Sequence, residues 1–463
     1  MPSITRRSFL GSSAAGAASV LFARRAACAK RPRPNILFFL ADDQRADVLG
    51  CAGHPILRTP NIDQLARGGV RFANSFVTTA ICAASRASIL TGLHERTHGY
   101  TFGTPPVHAL HAAQSYPALL REAGYRTGFF GKFGIQMDSP PEALFDTFEM
   151  RDQPYWQSGR HIDELNAEGA IRFLTRHDAR QPFCLSVSFS SPHANDGDFE
   201  NHYPCIDAVK GMYEDQLMPQ PRLNDPEIFE RHPEFLRNSM NRIRYHWRWD
   251  TPEKYQKNMR AYFRMLSGVD LLIGRVLEAL AVQGLADNTV VVYAADNGYY
   301  MAERGFSGKW SHYEESLRVP LILRDPRLPA ARQGKVCEAM TLNLDLPATF
   351  LALGGVAQPD TYPGRSLVAW CAGEPPSDWR TSFFCEHRMN HPDIPKWEGV
   401  RDTRYVYARY YEQDPVYEFL HDLQTDPDEL VNLAGDPEHA AMLSHFRTQC
   451  TAMSLGYGTP RPS

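Results

Sequence analysis

The stretch PNILFFLADD, residues 34–43, is the one from which the fold is read. Ile36 to Ala41 is unbroken apolar sequence that stops at two aspartates, Asp42 and Asp43. A run of that length without polar alternation predicts a strand buried on both faces, as in a parallel sheet covered by helices. Similar runs at 127–131, 183–189, 289–295 and 319–323 are separated by helical patterns near 116–123, 161–176 and 252–282. The last helix carries Met265, Val269, Leu272, Ile273, Val276 and Leu280 at helical spacing. TPNID, residues 59–63, opens another helix, with Thr59 as the expected cap and Pro60 in the first turn. The alternation predicts an α/β fold, a mainly parallel central sheet flanked by helices over 34–350, with a Pro- and aromatic-rich insertion at 194–250. Past residue 350 the rhythm shortens. Runs at 380–386, 397–401, 404–411 and 416–422, then a polar helix near 437–453, predict a smaller antiparallel sheet closed by a helix within 351–463.

In an open α/β sheet, ligands gather beyond the carboxyl ends of the strands. Asp42-Asp43 ends one strand, Asp296-Asn297 ends another, and Lys132 and His193 follow two more. Polar groups from distant parts of the chain are therefore expected on one rim. With 463 residues and a net charge of -4, the chain has no global drive toward nucleic acid or anionic membranes. Residues 1–29 read as a twin-arginine export signal: Arg6-Arg7, a short weakly apolar run, then Ala27-Cys28-Ala29 as a cleavage site. That reading implies export to the periplasm or beyond and the twin-arginine machinery as a partner, with no integral membrane segment in the mature chain. The eight cysteines after the leader lack CxxC spacing, which disfavours zinc, and sequence does not pair them.

CAASRASILTG, residues 82–92, resembles the hallmark of the type I, formylglycine-dependent sulfatases of the alkaline-phosphatase-like superfamily. PNIL through Asp42-Asp43, TPNID, GVRF (69–72), GYRTG with GK (124–128, 131–132), SPH (191–193), DNG (296–298), Lys309 with YEES and RVP (313–320), and the stretch around Asp422 to Leu433 follow the same family in register. Any one block has a bland reading. DNG is usually a turn, a lone Lys a surface residue, a lone Cys a buried one. Eight blocks in order are not chance.

The resemblance implies that Cys82 is oxidised to formylglycine by a maturase, and that one Ca2+ is held by Asp42, Asp43, Asp296, Asn297 and an oxygen of modified residue 82. One hydroxyl of the hydrated aldehyde would attack sulfur; the other would collapse to expel sulfate. Arg86 would hold residue 82, Lys132 and Lys309 would bind sulfate, and His193 would be the general acid. Because the twin-arginine route carries folded proteins, oxidation would precede export.

The chain departs from the family at Ala84, where Pro is usual, at Gly134, where a histidine is usual, and at Asn195, where Pro is common. His98 or His312 is the expected substitute for the missing histidine. In the insertion, Arg237, Arg242, Arg244 and Arg248 interleave with Tyr245, Trp247 and Trp249. Aromatic faces stack on sugars and arginines pair with sulfate, so a sulfated carbohydrate is the expected substrate, bound by Arg244 and Arg248. A phosphonate or phosphodiester hydrolase of the same superfamily is the alternative enzyme. An exported, non-catalytic carbohydrate-binding protein is the alternative from another class.

Overall fold

The computed structural model describes residues 32–152 and 155–458, so the expected export signal at 1–29 lies outside the described residues. Eight strands form the central sheet: β1 Asn35–Ala41, β2 Val70–Phe76, β3 Arg126–Gly131, β4 Thr147–Met150, β5 Phe183–Ser188, β6 Thr289–Ala295, β7 Leu321–Arg324 and β8 Lys335–Leu342. Their order is β8-β2-β7-β6-β1-β5-β3-β4. All neighbours are parallel except β7, which runs antiparallel to both β2 and β6. β1 is central, paired with β5 and β6, and every residue of it is buried.

The longer helices are α1 Pro60–Arg67, α2 Cys82–Thr91, α3 Tyr116–Glu122, α4 Ile162–Thr175, α5 Met240–Arg248, α6 Pro252–Val282, α7 Asp345–Gly354 and α8 Ala440–Tyr457, with loops and shorter helices between them. The two-residue period of β1 divides the core. Leu37 and Phe39 pack with Ile62 of α1, Ala170 and Phe173 of α4 and Ile273 of α6. Ile36 and Phe38 pack with Ile89 of α2, Tyr116 and Leu120 of α3 and Phe350 of α7. This explains why β1 needs apolar residues at every position.

One expected detail is corrected. α1 starts at Pro60 as expected, but Thr59 makes no side-chain cap; its hydroxyl donates to Asp63. The orphan N–H groups of Asn61 and Ile62 instead donate to the Asp270 carboxylate of α6. A carboxylate held there by tertiary packing satisfies two donors at once, which a threonine hydroxyl does not.

The small sheet contains β9 Ser382–His387, β10 Trp397–Asp402, β11 Tyr405–Tyr410 and β12 Tyr417–Asp422, antiparallel throughout. One face, with Phe384, Val400, Tyr407 and Leu420, is covered by Leu443, Phe446 and Cys450 of α8. The other, with Phe383, Trp397, Ala408 and Phe419, joins the main core. The described residues from Pro34 onward accordingly form one contact unit, and α7 crosses the boundary expected at 350. The eight described cysteines stand unpaired. No described helix is long and apolar enough to cross a membrane.

Candidate active site

β1 and β6 are adjacent and parallel, so the residues after them, Asp42-Asp43 and Asp296-Asn297, emerge side by side. The Asp43 N–H donates to Asp296 Oδ1 at 3.2 Å, and Asn297 Nδ2 donates to Asp43 Oδ1 at 2.6 Å. Asp43 sits at φ 59°, and its carbonyl accepts from the Tyr262 hydroxyl of α6 at 2.8 Å. β3 and β5 deliver Lys132 and the SPH segment to the same rim. Gly131 (φ 117°) allows the turn into Lys132; a Cβ there would lie 1.8 Å from the Ser188 carbonyl oxygen.

Cys82 is the first residue of α2 and is buried against these groups. Its Sγ lies 3.2 Å from Asp42 Oδ1, 3.9 Å from Asp43 Oδ1 and 2.9 Å from Lys309 Nζ. Burial, then the charge of Asp42, pushes its thiol well above the usual range, so an unmodified Cys82 stays protonated at neutral pH. Arg86, one turn on, donates from Nε to Asp296 at 2.8 Å and from Nη1 to the Lys132 carbonyl at 2.6 Å and Ser188 Oγ at 2.5 Å. Its Nη2 lies 3.3 Å from Asp42. Lys132 pairs with Asp42 and Lys309 with Asp43. His193 Nε2 lies 3.7 Å from Asp43 Oδ2, while its Nδ1 donates to the Ala194 carbonyl at 2.7 Å. Burial and then Lys132 lower its pKa to about 4.

Lys309 is clamped through its backbone. Asn241 Nδ2 of α5 donates to the Lys309 carbonyl at 2.7 Å, and the Trp397 indole of β10 donates to the Trp310 carbonyl at 2.6 Å. Trp310 is held at φ 78°, a left-handed conformation unusual for a bulky residue. Neither Asn241 nor Trp397 carries a motif by which sequence could find it.

Chemically, this is a buried anion-and-cation rim. Burial and the neighbouring Asp42 raise the Asp296 carboxyl to about 7, while the three cations and His193 hold Asp42 low against its burial. Asp43 Oδ2 and Asn297 Oδ1 are buried without a hydrogen-bond partner. Ligand atoms of Asp42, Asp43, Cys82 and His193 all lie within 4.8 Å of one another. Crowded carboxylates with unused hard oxygens suit a divalent cation that takes oxygen ligands.

Two expectations need correction. His98 is fully committed, with Nε2 to Ser88 Oγ at 3.1 Å and Nδ1 accepting from the Tyr100 N–H. His312 bonds the Tyr410 hydroxyl at 3.0 Å among aromatic rings at the small sheet. Neither belongs to the cluster around Cys82. At Gly134 a Cβ would lie 3.3 Å from Arg86 Cδ, so the position faces Arg86 with no side chain. Arg248 is the second case. It is fully buried and paired with Asp196, which leaves it no surface to offer a ligand. Arg244 shares Asp196 at 2.5 Å but keeps 15 % of its side chain exposed, over the Trp310 ring at 4.8 Å. Asp196, unread in the sequence, neutralises one of these charges.

Fold and rim define the class: a hydrolase of the alkaline-phosphatase-like superfamily. The Sulfatase family model matches residues 34–356, and the model for the N-sulphoglucosamine sulphohydrolase C-terminal region matches 302–455. The chain belongs to the sulfatase family and is an enzyme of sulfate ester hydrolysis. It is 29 % identical over 480 residues to an N-acetylglucosamine-6-O-sulfatase of Bacteroides thetaiotaomicron, covering 88 % of this chain and 84 % of that protein. A solved structure in complex with its substrate, D-glucosamine-2-N,6-O-disulfate, matches with TM-score 0.76 at 26 % identity, covering 93 % of this chain and 99 % of the other. A phosphonate monoester hydrolase from Silicibacter pomeroyi matches equally, with TM-score 0.76 and 26 % identity over 92 % of this chain and 96 % of that one.

Proposed function

We propose that this enzyme removes sulfate from a sulfated carbohydrate, a sulfated glucosamine foremost, with formylglycine made from Cys82 and calcium held by Asp42, Asp43, Asp296 and Asn297. The observation that carries the reading is the seat of Cys82 between Asp42 and Lys309, beside two buried oxygens that lack partners. Bound there, calcium would offset the crowded carboxylates and act as a Lewis acid toward sulfate, and hydrated formylglycine would supply an oxygen nucleophile. Lys132 and Lys309, seated beside Asp42 and Asp43, would hold sulfate oxygens on which charge builds. Arg86 fixes residue 82 and the two strand ends in one frame. An arriving anion raises the pKa of His193, the direction required of a proton donor to the leaving oxygen. Arg244 of the insertion, lying over the Trp310 ring beside Lys309, is the group suited to the sugar. The glucosamine preference follows from the two relatives that act on sulfated glucosamines.

We further propose export by the twin-arginine route after oxidation of Cys82 by a maturase, on the strength of Arg6-Arg7 and Ala27-Cys28-Ala29. Cell fractionation with Arg6 and Arg7 exchanged for Lys should leave the protein in the cytoplasm; unchanged export contradicts the proposal.

The match to a phosphonate monoester hydrolase keeps one rival reading in play. Purified enzyme co-expressed with a maturase should release sulfate from glucosamine-6-sulfate faster than it cleaves a phenyl phosphonate ester, and chelation should abolish both. Faster phosphonate cleavage reverses the assignment.

A further inference from the structure

His193 reaches the rim on a short turn that follows β5, and two buried side chains hold the backbone of that turn. Asp163, in the first turn of α4 and 1 % exposed, accepts the Ser190 N–H on Oδ1 at 2.9 Å and the Ser191 N–H on Oδ2 at 3.1 Å. Tyr155, as deeply buried, donates its hydroxyl to the His193 carbonyl at 2.5 Å, with the Ser190 carbonyl 3.2 Å away. The His193 N–H closes the turn onto the Ser190 carbonyl at 3.1 Å, and the Ser191 carbonyl accepts from the Asp42 N–H at 3.3 Å. The turn is thus tied to the end of β1 as well as to α4.

A buried carboxylate is costly unless donors surround it. Among the described residues no Lys or Arg lies within ion-pair distance of Asp163, and its one ionisable neighbour at that range is His161, at 3.9 Å. Its support comes from the N-terminus of α4, from Asn166 Nδ2 at 3.4 Å and from the two amides of the turn. Both oxygens are spent on successive N–H groups, three and two residues before His193. They fix the direction in which the chain enters His193, and Tyr155 fixes the carbonyl by which it leaves. The imidazole has little freedom beyond that frame. Its Nδ1 is bound to the Ala194 carbonyl at 2.7 Å, so Nε2 alone faces Asp43, at 3.7 Å.

We propose that Asp163 and Tyr155 are positioning residues for the reaction, which together hold the turn at 190–193 so that His193 Nε2 meets the leaving oxygen of the sulfate ester. Their service to proton donation rests on the reading of His193 as the donor; their coupling to His193 does not. The test is a double-mutant cycle in the matured enzyme, read as kcat on glucosamine-6-sulfate. Asp163→Asn keeps the shape but offers the two amides one oxygen in place of two. It should lower kcat about tenfold with KM within about twofold, and Tyr155→Phe, which frees the His193 carbonyl, should do the same. Added to His193→Ala, each should cost less than about twofold more, because the group they position is gone. Thermal melts report the fold, and should Asp163→Asn fail to fold, the Tyr155→Phe cycle decides. A second substrate, 4-nitrophenyl sulfate, has a leaving group that needs no proton, so His193→Ala should slow it far less than the sugar ester. Equal slowing of the two substrates by His193→Ala ends the proton-donor reading while the coupling stands. Two results overturn the proposal: losses of the same size with His193 present and absent, or full activity in both folded single variants.

Discussion

The sheet rim and the 194–250 insertion both bury arginine against aspartate, yet they use the pairing differently. At the rim, Arg86 joins Asp296 and Asp42 inside a cluster that still leaves Asp43 Oδ2 and Asn297 Oδ1 without partners. In the insertion, Asp196 is held by two arginines, Arg244 and Arg248, and one of them is wholly buried. Unused hard oxygens amid crowded charge mark a place prepared for a ligand. A carboxylate with two guanidiniums marks a strut, with Arg244 as its one reachable arm.

The largest effect is expected from Arg86→Ala, which strips the buried Asp296 and Asp42 of a shared counter-ion. In metal-stripped protein it should cost about 3–5 kcal/mol of stability by denaturant melts, and sulfate release should disappear. A stable, active variant would break the distinction. Arg248→Ala should cost about 3 kcal/mol, since a buried guanidinium is lost beneath Asp196. Arg244→Ala should change stability by only about 0.5 kcal/mol, and it should raise KM for a sulfated oligosaccharide while sparing small aryl sulfates. Equal losses in the two variants would put both arginines in one role.

Acid sharpens the comparison at the insertion's far side. Burial lowers His232 to about 3, where it bonds Tyr313, and lowers His421 in the small sheet to about 4. The folded state favours the neutral rings, so their contribution is present above the unfolded value near 6.5 and is lost as pH falls through the folded values. Each histidine should cost about 2 kcal/mol between pH 6.5 and 5, and His232→Phe should flatten the slope of melting temperature against pH. A smaller effect than at Arg86 is expected from Trp397→Phe, which removes the bond to the Trp310 carbonyl. About a tenfold fall in kcat with little change in KM fits a positioning role for Lys309. A parallel rise in KM would place Trp397 in binding instead.

Much of this was legible because the rim follows from one rule. A strand buried on both faces must be continuously apolar, so Ile36–Ala41 and Val290–Ala295 announced themselves, and so did the polar residues that follow them. The short strands β9 to β12 were visible as brief runs marked off by turn residues. The cap of α1 was not, because Asp270 reaches it across more than two hundred residues. Nor was the fate of Arg248, because burial in the insertion depends on where Asp196 folds, and a helix of nine residues shows two stripes without saying which faces water. Gly134 was visible as a departure, but only the packed structure shows that it faces Arg86 and that His98 and His312 are engaged elsewhere.

Residue 82 decides whether the rim is a sulfatase centre. Tryptic mass spectrometry of active enzyme, isolated after co-expression with a maturase, reads it directly across residues 72–86. The expected peptide has lost its sulfur, carries an aldehyde and reacts with a hydrazide, in proportion to the activity of each preparation. An intact Cys82 thiol that accepts an alkylating reagent in fully active enzyme would contradict it.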